Sequence, residues 1–399
     1  MPRTIHVLGG GLAGLTAAVF AARAGHDVTL LEHSPCLGGR ARSRERNGVI
    51  WNMGAHALYN AGAGRAILDE LAIPLPGRVA DNGGSLAVRG GRLDALPVGF
   101  MSMLTTGLLD LAEKLSLGEL MAKLPRMSLS ALAGQTYGEL VATLTPRPRV
   151  REVMIAFGRL ATYVGDVEPV SAAVVVGQLK LALAAGVTYL DGGWQTLVDG
   201  LAQAATEAGV RIELDARVDD LAALRREGPV VLAVPPEVAG ALLGRRFEVE
   251  PVRAACLDLA LDGLPHPRRW FALGIDTPTY FSVHTRYASL APAGIEVVHA
   301  VRYQRGPDDT ERDRRELERL LDLVQPGWRE RVVEERFLPS IAVAQSRPDG
   351  RPGVDQGGGI YLAGDWVGDE GSLADAALAS GREAARLLAA PAIAEREAA

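Results

Sequence analysis

Gly9, Gly11 and Gly14 stand in the run Gly9-Gly10-Gly11-Leu12-Ala13-Gly14, a spacing that lets bare backbone approach a phosphate. Gly9 permits a tight turn, Gly11 opens the amides of Leu12 and Ala13 to a pyrophosphate, and Gly14 allows close packing of helix on strand. Glu32 follows Gly14 by 18 positions, where a carboxylate can accept hydrogen bonds from two ribose hydroxyls and repel a 2′-phosphate. The chemistry implied is recognition of an adenine dinucleotide.

A glycine turn alone is weak evidence, so the elements around it matter. Ile5-His6-Val7-Leu8 reads as a buried strand running into the turn. Leu12, Leu15, Ala18, Val19 and Ala22 recur at helical spacing, Gly25 ends the helix, and Val28 to Glu32 reads as a second strand. Together they form a βαβ unit whose helix N-terminus offers partial positive charge to the diphosphate. The same glycines interrupt the apolar stretch Ile5 to Ala24, which argues against a secretory signal or a membrane anchor.

The chain has 399 residues, 48% hydrophobic and 23% charged, enough for two or three domains with a sizeable core. Its net charge of −6 argues against a nucleic-acid partner. Cys36 and Cys256 are the two cysteines; neither sits in a metal-ligand cluster, no metal is expected, and a reducing, cytoplasmic location is the expectation.

Two further stretches favour FAD over NAD. After Glu32 and His33, the loop Gly38-Gly39-Arg40 can bring a guanidinium to the second phosphate, a solvated arginine being the plain alternative. Far downstream, Gly359 to Leu362 reads as a buried strand ending in Gly364-Asp365-Trp366, and Ser372 to Ala390 as a closing helix. Asp365 can accept from a ribityl hydroxyl, with Ser372 and Leu373 at the helix start facing the flavin edge.

These elements resemble the FAD-binding flavin amine oxidase and phytoene desaturase superfamily, the desaturase branch above all, over most of the chain. Trp51-Asn52-Met53-Gly54-Ala55-His56 is similar to the family's D-x-G-x-H segment beside the flavin, with Asn52 where Asp is usual. Tyr189 to Leu197 resembles the return to the cofactor domain, and Val210 to Val218 the strand whose last residue meets the adenine through its backbone. In the closing helix, Gly371, Leu373 and Asp375 replace the family's Pro, Ser or Thr, and Glu. The resemblance implies an α/β fold, a discontinuous Rossmann-type FAD-binding domain with an α+β substrate domain. Residues 1–90, 190–245 and 335–399 would form the first, and 91–189 and 246–334 the second.

The resemblance also implies an oxidoreductase in which flavin N5 accepts a hydride from an apolar or amphipathic small molecule, with oxygen or a quinone as final acceptor. The alternatives are an amine oxidase releasing peroxide and a non-redox isomerase. His56 is the titratable candidate at the ring, a structural histidine being an equal alternative, and Trp366 is the candidate wall of the flavin pocket. Tyr280, His284 and His299 are weaker candidates for the cavity wall. Only three lysines occur, and the flavin-facing lysine of many amine oxidases has no equivalent unless Lys180 folds back. No second GxGxxG follows, so no built-in NAD(P)H site is expected. The Leu- and Met-rich stretch from Phe100 to Met127 reads as a helical core; a peripheral membrane contact is the lesser alternative, with Lys114, Lys123 and Arg126 on its flanks.

Overall fold

In the computed structural model, which describes residues 2–81, 83–306, 309–345 and 350–389, the strand before the glycine turn is Thr4–Leu8. It lies at the centre of a five-stranded parallel sheet ordered Arg211–Glu213, Asp27–Leu31, Thr4–Leu8, Val230–Leu232, Ile360–Leu362. Ile5, Val7, Leu30, Val231 and Leu362 are fully buried, as the aliphatic runs of a sheet covered on both faces require. The helix Leu12–Arg23 follows the turn and is almost entirely buried. Its close neighbour is the closing helix Ala374–Ala389. A Cβ on Gly381 of that helix would lie 2.4 Å from the Ala13 carbonyl oxygen, so glycine sets how near the two helices come.

A second, seven-stranded sheet is ordered Val332–Ala344, Val252–Asp262, Ile295–Tyr303, Thr279–Val283, Phe271–Gly274, Leu86–Arg89, Arg92–Ala95. The strands expected at Tyr280 and Val297 are the third and fourth of these. Along Val252–Asp262 the side chains alternate between two cores. Ala255, Leu257 and Leu259 face the helix Thr310–Val324, whereas Ala254 and Cys256 face the helices Pro148–Thr162 and Ala172–Ala185. A three-stranded sheet of Leu58–Tyr59, Val187–Leu190 and Gly77–Val79 joins the halves.

The fold differs from the sequence reading in five places. Residues 335–344, expected in the cofactor domain, lie in the seven-stranded sheet because Val332–Ala344 pairs with Val252–Asp262. Leu86–Arg89, expected in the first cofactor segment, joins that same sheet. The strand expected over Val210 to Val218 is only Arg211–Glu213, because Asp215 turns at positive φ and Asp215 and Ala216 hydrogen-bond back to Ser34 and Glu32. The stretch from Phe100 to Met127 is not one core stripe: Leu108, Leu109, Leu120 and Leu124 are buried, while Phe100, Met101, Leu104 and Leu115 are exposed. The expected helix from Ser372 begins at Ala374; Ala390 and the tail beyond it lie outside the described residues.

Candidate functional site

A single cavity of about 920 Å³ runs from the glycine turn to the seven-stranded sheet. Its near end is lined by Gly9, Gly11, Leu12, Ala13, Glu32 and His33, its middle by Gly38, Gly39, Arg40, Ala55, His56, Gly364 and Asp365. Trp366, Ser372 and Leu373 line it as well. Of the residues singled out in the sequence, Gly14, Gly54 and Val218 do not line it. Gly14 and Gly54 shape the backbone instead: a Cβ on Gly14 would lie 1.9 Å from the Gly9 oxygen, and one on Gly54, at φ +92, 2.6 Å from Ile341. Val218 packs against the nucleotide-domain core from a loop, because the strand that was to carry it ends early.

The turn fits a diphosphate. A Cβ on Gly11 would find only the Gly38 oxygen, 4.0 Å away, so glycine here leaves cavity space that any larger residue would fill. Behind it the helix N-terminus has no side-chain cap, leaving its first amides free for an anion. Glu32 is buried, accepts from the amides of Gly10 at 2.6 Å and Ser34 at 2.8 Å, and lies 2.9 Å from His33 Nδ1. A carboxylate has about four lone-pair sites, so a ribose diol can still be accommodated.

Arg40 lines the cavity and is held by two protein partners. Its Nη2 lies 2.5 Å from Asp365 Oδ1, and its Nη1 donates to the Val343 carbonyl. Asp365 Oδ2 accepts from the Gln345 amide at 2.9 Å. The Trp366 indole is buried and donates to the Val234 carbonyl, which fixes it in the cavity wall. Leu373 enters the closing helix at φ +55, an uncommon conformation for a residue of its kind, in a position that meets the cavity.

The return segment is tied to the flavin-side loop by Asn52. Its Oδ1 accepts from the Trp194 amide at 2.9 Å and from Ser43 Oγ at 2.7 Å. A Cβ on Gly193, at φ +73, would lie 2.6 Å from Ser43 Oγ, so the Gly-Gly pair is required by this junction. His56 packs on Trp194 at 4.7 Å between centroids and donates from Nδ1 to the Gly54 carbonyl at 2.9 Å. Burial pushes its pKa down to about 4, with His299 and Arg40 adding to the fall and the Gly54 and Asp258 contacts opposing it. His56 is therefore neutral at pH 7, with Nδ1 held by the backbone.

The far end of the cavity is apolar and aromatic. Leu160, Tyr163, Leu179, Phe271 and Tyr280 line it, with the Tyr163 and Tyr280 hydroxyls 2.9 Å apart. Burial raises both phenols, so both remain protonated. Lys180 takes no part: its ammonium donates to the Met127 carbonyl, and it does not line the cavity. His284 and His299, expected on the wall, lie buried just behind it. Sequence reasoning missed Ser282, Tyr189 and Asp375, which do line it. The alternation Tyr280, Ser282, His284 on one strand carried the signal for Ser282. Asp375 accepts from the Gly64 amide at 2.9 Å; burial, its largest influence, pushes its carboxyl up to about 6. Among the described residues no group of three or more His, Cys, Asp or Glu could hold a metal, and no helix is long and apolar enough to cross a membrane.

A sequence model of the family described as flavin containing amine oxidoreductase matches residues 12–240. Among curated proteins, the chain is 30% identical over 260 residues to hydroxyneurosporene desaturase of Rhodobacter capsulatus, covering 56% of this chain and 51% of that protein. It is 37% identical over 116 residues to protoporphyrinogen oxidase of Homo sapiens, covering 26% of this chain and 24% of that protein. The chain thus spans about half the length of the desaturase and less of the oxidase. A solved oxidoreductase from Methanosarcina mazei superposes with TM-score 0.78 at 17% identity, over 96% of this chain and all of the other, a likeness of fold.

Proposed function

The chain belongs to the flavin containing amine oxidoreductase family, and from that premise we propose that it is an FAD-dependent oxidoreductase removing a hydride from an apolar or amphipathic small molecule. The observation that carries this reading is the continuity of one cavity from the diphosphate turn at Gly11 to the aromatic end at Phe271 and Tyr280. When bound, FAD supplies a two-electron acceptor, so the protein need not provide the oxidising group itself.

Each part of the chain then has a defined task. The amides after Gly11 and the carboxylate of Glu32 hold the adenosine diphosphate portion. Asp365, held in place by Arg40 and Gln345, accepts from the ribityl chain. Tyr163, Phe271, Tyr280 and Leu179 exclude water and orient the substrate's reacting C–H bond. His56, neutral at pH 7, keeps the loop seated on Trp194.

Dehydrogenation of a carbon chain is favoured over amine oxidation, because Lys180 is turned away to Met127 and the far end of the cavity is apolar. Phe100, Met101, Leu104, Leu111 and Leu115 are exposed on two neighbouring helices beside Lys114, which supports peripheral contact with a membrane carrying such a substrate.

The test is spectroscopic. The purified protein, loaded with FAD, should be yellow, and candidate polyenes or other apolar donors should bleach it anaerobically. A protein that cannot take up FAD would remove the redox reading. Bleaching by amines, with peroxide formed once oxygen is admitted, and by no apolar donor, would transfer it to amine oxidation.

A further inference from the structure

Four buried or half-buried polar residues stand directly opposite one another across four adjacent strands. Arg336 is the register partner of Asp258, Asp258 of His299, and His299 of Ser282. Register partners project to the same face of a sheet with Cβ atoms roughly 5 Å apart. Here that face is the cavity's: Cys256, Val301 and Tyr280, one step along the same strands, line the cavity, and so does Ser282 itself.

The row is ordered from its inner end. Arg336 donates to Asp258 Oδ2 through Nε at 3.1 Å and Nη2 at 2.5 Å, and to the Asn52 carbonyl. Asp258 Oδ1 lies 2.6 Å from His299 Nδ1. Asp258 and His299 are 0% and 1% exposed, so neither is a solvated surface group. Burial pushes the Asp258 carboxyl up, but His299 and Arg336 outweigh it and hold the group below the usual carboxylate range. An ionised carboxylate can only accept, so it fixes the Nδ1–H tautomer of His299 and leaves Nε2 with a free lone pair. That nitrogen has no protein partner among the described residues. The Ser282 hydroxyl makes no hydrogen bond of standard geometry, yet lies close enough to the Tyr189 phenol to offset part of the rise that burial gives it.

We propose that Ser282, His299 and Asp258 form a proton-accepting relay that opens into the cavity through the Ser282 hydroxyl. The inference rests on the dehydrogenase reading above and supplies what that reading leaves out, a destination for the proton. Removing two hydrogens across a C–C or C–O bond sends one away as hydride to the cofactor, the oxidant, and the other as a proton. Ser282 Oγ and His299 Nε2 make no hydrogen bond to each other in this structure, so the step requires them to close up: Ser282 Oγ then takes the proton as its own passes to His299 Nε2. The electron pair of the broken bond becomes the new double bond, and the cationic imidazole faces Asp258. Hydrogen bonds of this kind tighten when substrate fills the cavity. Ser282 is the catalytic residue; His299, Asp258 and Arg336 are positioning residues.

The surroundings suit this role. The other titratable groups near His299 are His284 at 4.1 Å between ring centroids, Tyr189 beyond it, and His56. Burial, His299 and His56 hold His284 well below the usual histidine range, and burial holds Tyr189 above the usual phenol range, so both are neutral at pH 7. Asp258 is the one anion in direct contact with the His299 ring among the described residues.

Two measurements decide it. In the FAD-loaded protein carrying ¹⁵N-histidine, long-range proton–nitrogen spectra at pH 8 should show His299 as the Nδ1–H tautomer, and Ser282→Ala should move its Nε2 resonance. In anaerobic stopped-flow with a donor that bleaches the flavin, Ser282→Ala and His299→Gln should lower the reduction rate constant by about 10²-fold and remove the acid limb of its pH profile, with FAD retained. Ser282→Thr should restore both. Spectra placing the proton on Nε2 at pH 8, or wild-type reduction with an unchanged profile in Ser282→Ala, would overturn the relay. If no donor bleaches the flavin, the dehydrogenase reading fails and the spectra alone decide the relay. If His299→Gln does not fold, Ser282→Ala, which removes one oxygen, carries the kinetic test.

Discussion

Arg40 Nη2 lies 2.5 Å from Asp365 Oδ1, across 325 positions of chain. The pair joins the loop that follows the adenosine half of the proposed site to the strand end that meets its flavin half. Asp365 is buried and Arg40 partly exposed, so the contact acts as a buried carboxylate with a half-wet partner rather than as a strong isolated ion pair.

Arg40→Ala and Asp365→Asn should each weaken FAD binding by roughly 10-fold, the scale of one charge-assisted hydrogen bond. Because the two residues touch, the double variant should lose less than the product of the single losses. Flavin fluorescence on titration of the apoprotein measures it. Unchanged affinity in Asp365→Asn would remove Asp365 from the cofactor's contacts.

Gly11 and Gly14 should separate by phenotype. A side chain on Gly11 enters open cavity, so Gly11→Val should fold with a near-normal melting temperature and bind FAD at least 10-fold more weakly. A Cβ on Gly14 meets the Gly9 carbonyl, so Gly14→Val should lose on the order of 3 kcal/mol or fail to fold. Equal stability loss in both would show that the space before Gly11 is not a binding space.

Asp375 supplies a pH signature. Its folded pKa, about 6, lies above the unfolded carboxylate value, so it favours the folded state most below about pH 4 and loses that contribution as the pH rises through 6. Asp375→Asn keeps an acceptor for the Gly64 amide and should stabilise the apoprotein by on the order of 2–3 kcal/mol above pH 7, the gain vanishing toward pH 4. Urea midpoints across that range read the difference; a pH-independent gain would mean that the carboxyl is not raised.

His56→Gln should leave the pH dependence of flavin reduction between pH 6 and 9 unchanged. The imidazole is already neutral across that range, its pKa being held near 4 by burial first of all. A rate loss below 10-fold is expected from weaker packing on Trp194. Disappearance of a limb near neutral pH would restore His56 as an acid or base.

The two thiols should report on the cavity independently of turnover. Both thiols line the cavity, but Cys36 is partly exposed with Arg42 Nη1 2.7 Å from its sulfur, whereas Cys256 is buried, and burial raises its thiol well above the ordinary range. An aromatic disulfide reagent should label Cys36 alone in the native protein, and FAD should slow it. Labelling that FAD leaves untouched would place the cofactor elsewhere.

The first βαβ unit was fully legible because its signal is local: strand, glycine turn, helix and Glu32 all lie within one short stretch. The second sheet's strands at Tyr280 and Val297 were legible through alternation, and the Asn52 segment through its resemblance to family sequences. Arg40's charge was legible but its partner was not, because nothing local relates it to Asp365. The Arg336–Asp258–His299–Ser282 row left no motif for the same reason, since each residue comes from a different strand and only register aligns them. The length of the strand after Val210 was misread because the turn at Asp215 stops it before the β-favouring Val218 is reached.

The closing helix Ala374–Ala389 packs against Leu12–Arg23, and Ile360–Leu362 completes the sheet that Thr4–Leu8 begins. During synthesis the apolar face of Leu12–Arg23 therefore stays without this cover until Ala374–Ala389 has been made. At translation speeds of about 5–20 residues per second that interval lasts tens of seconds. The nascent protein should depend on holding chaperones over that time, and flavin capture should be a post-translational event.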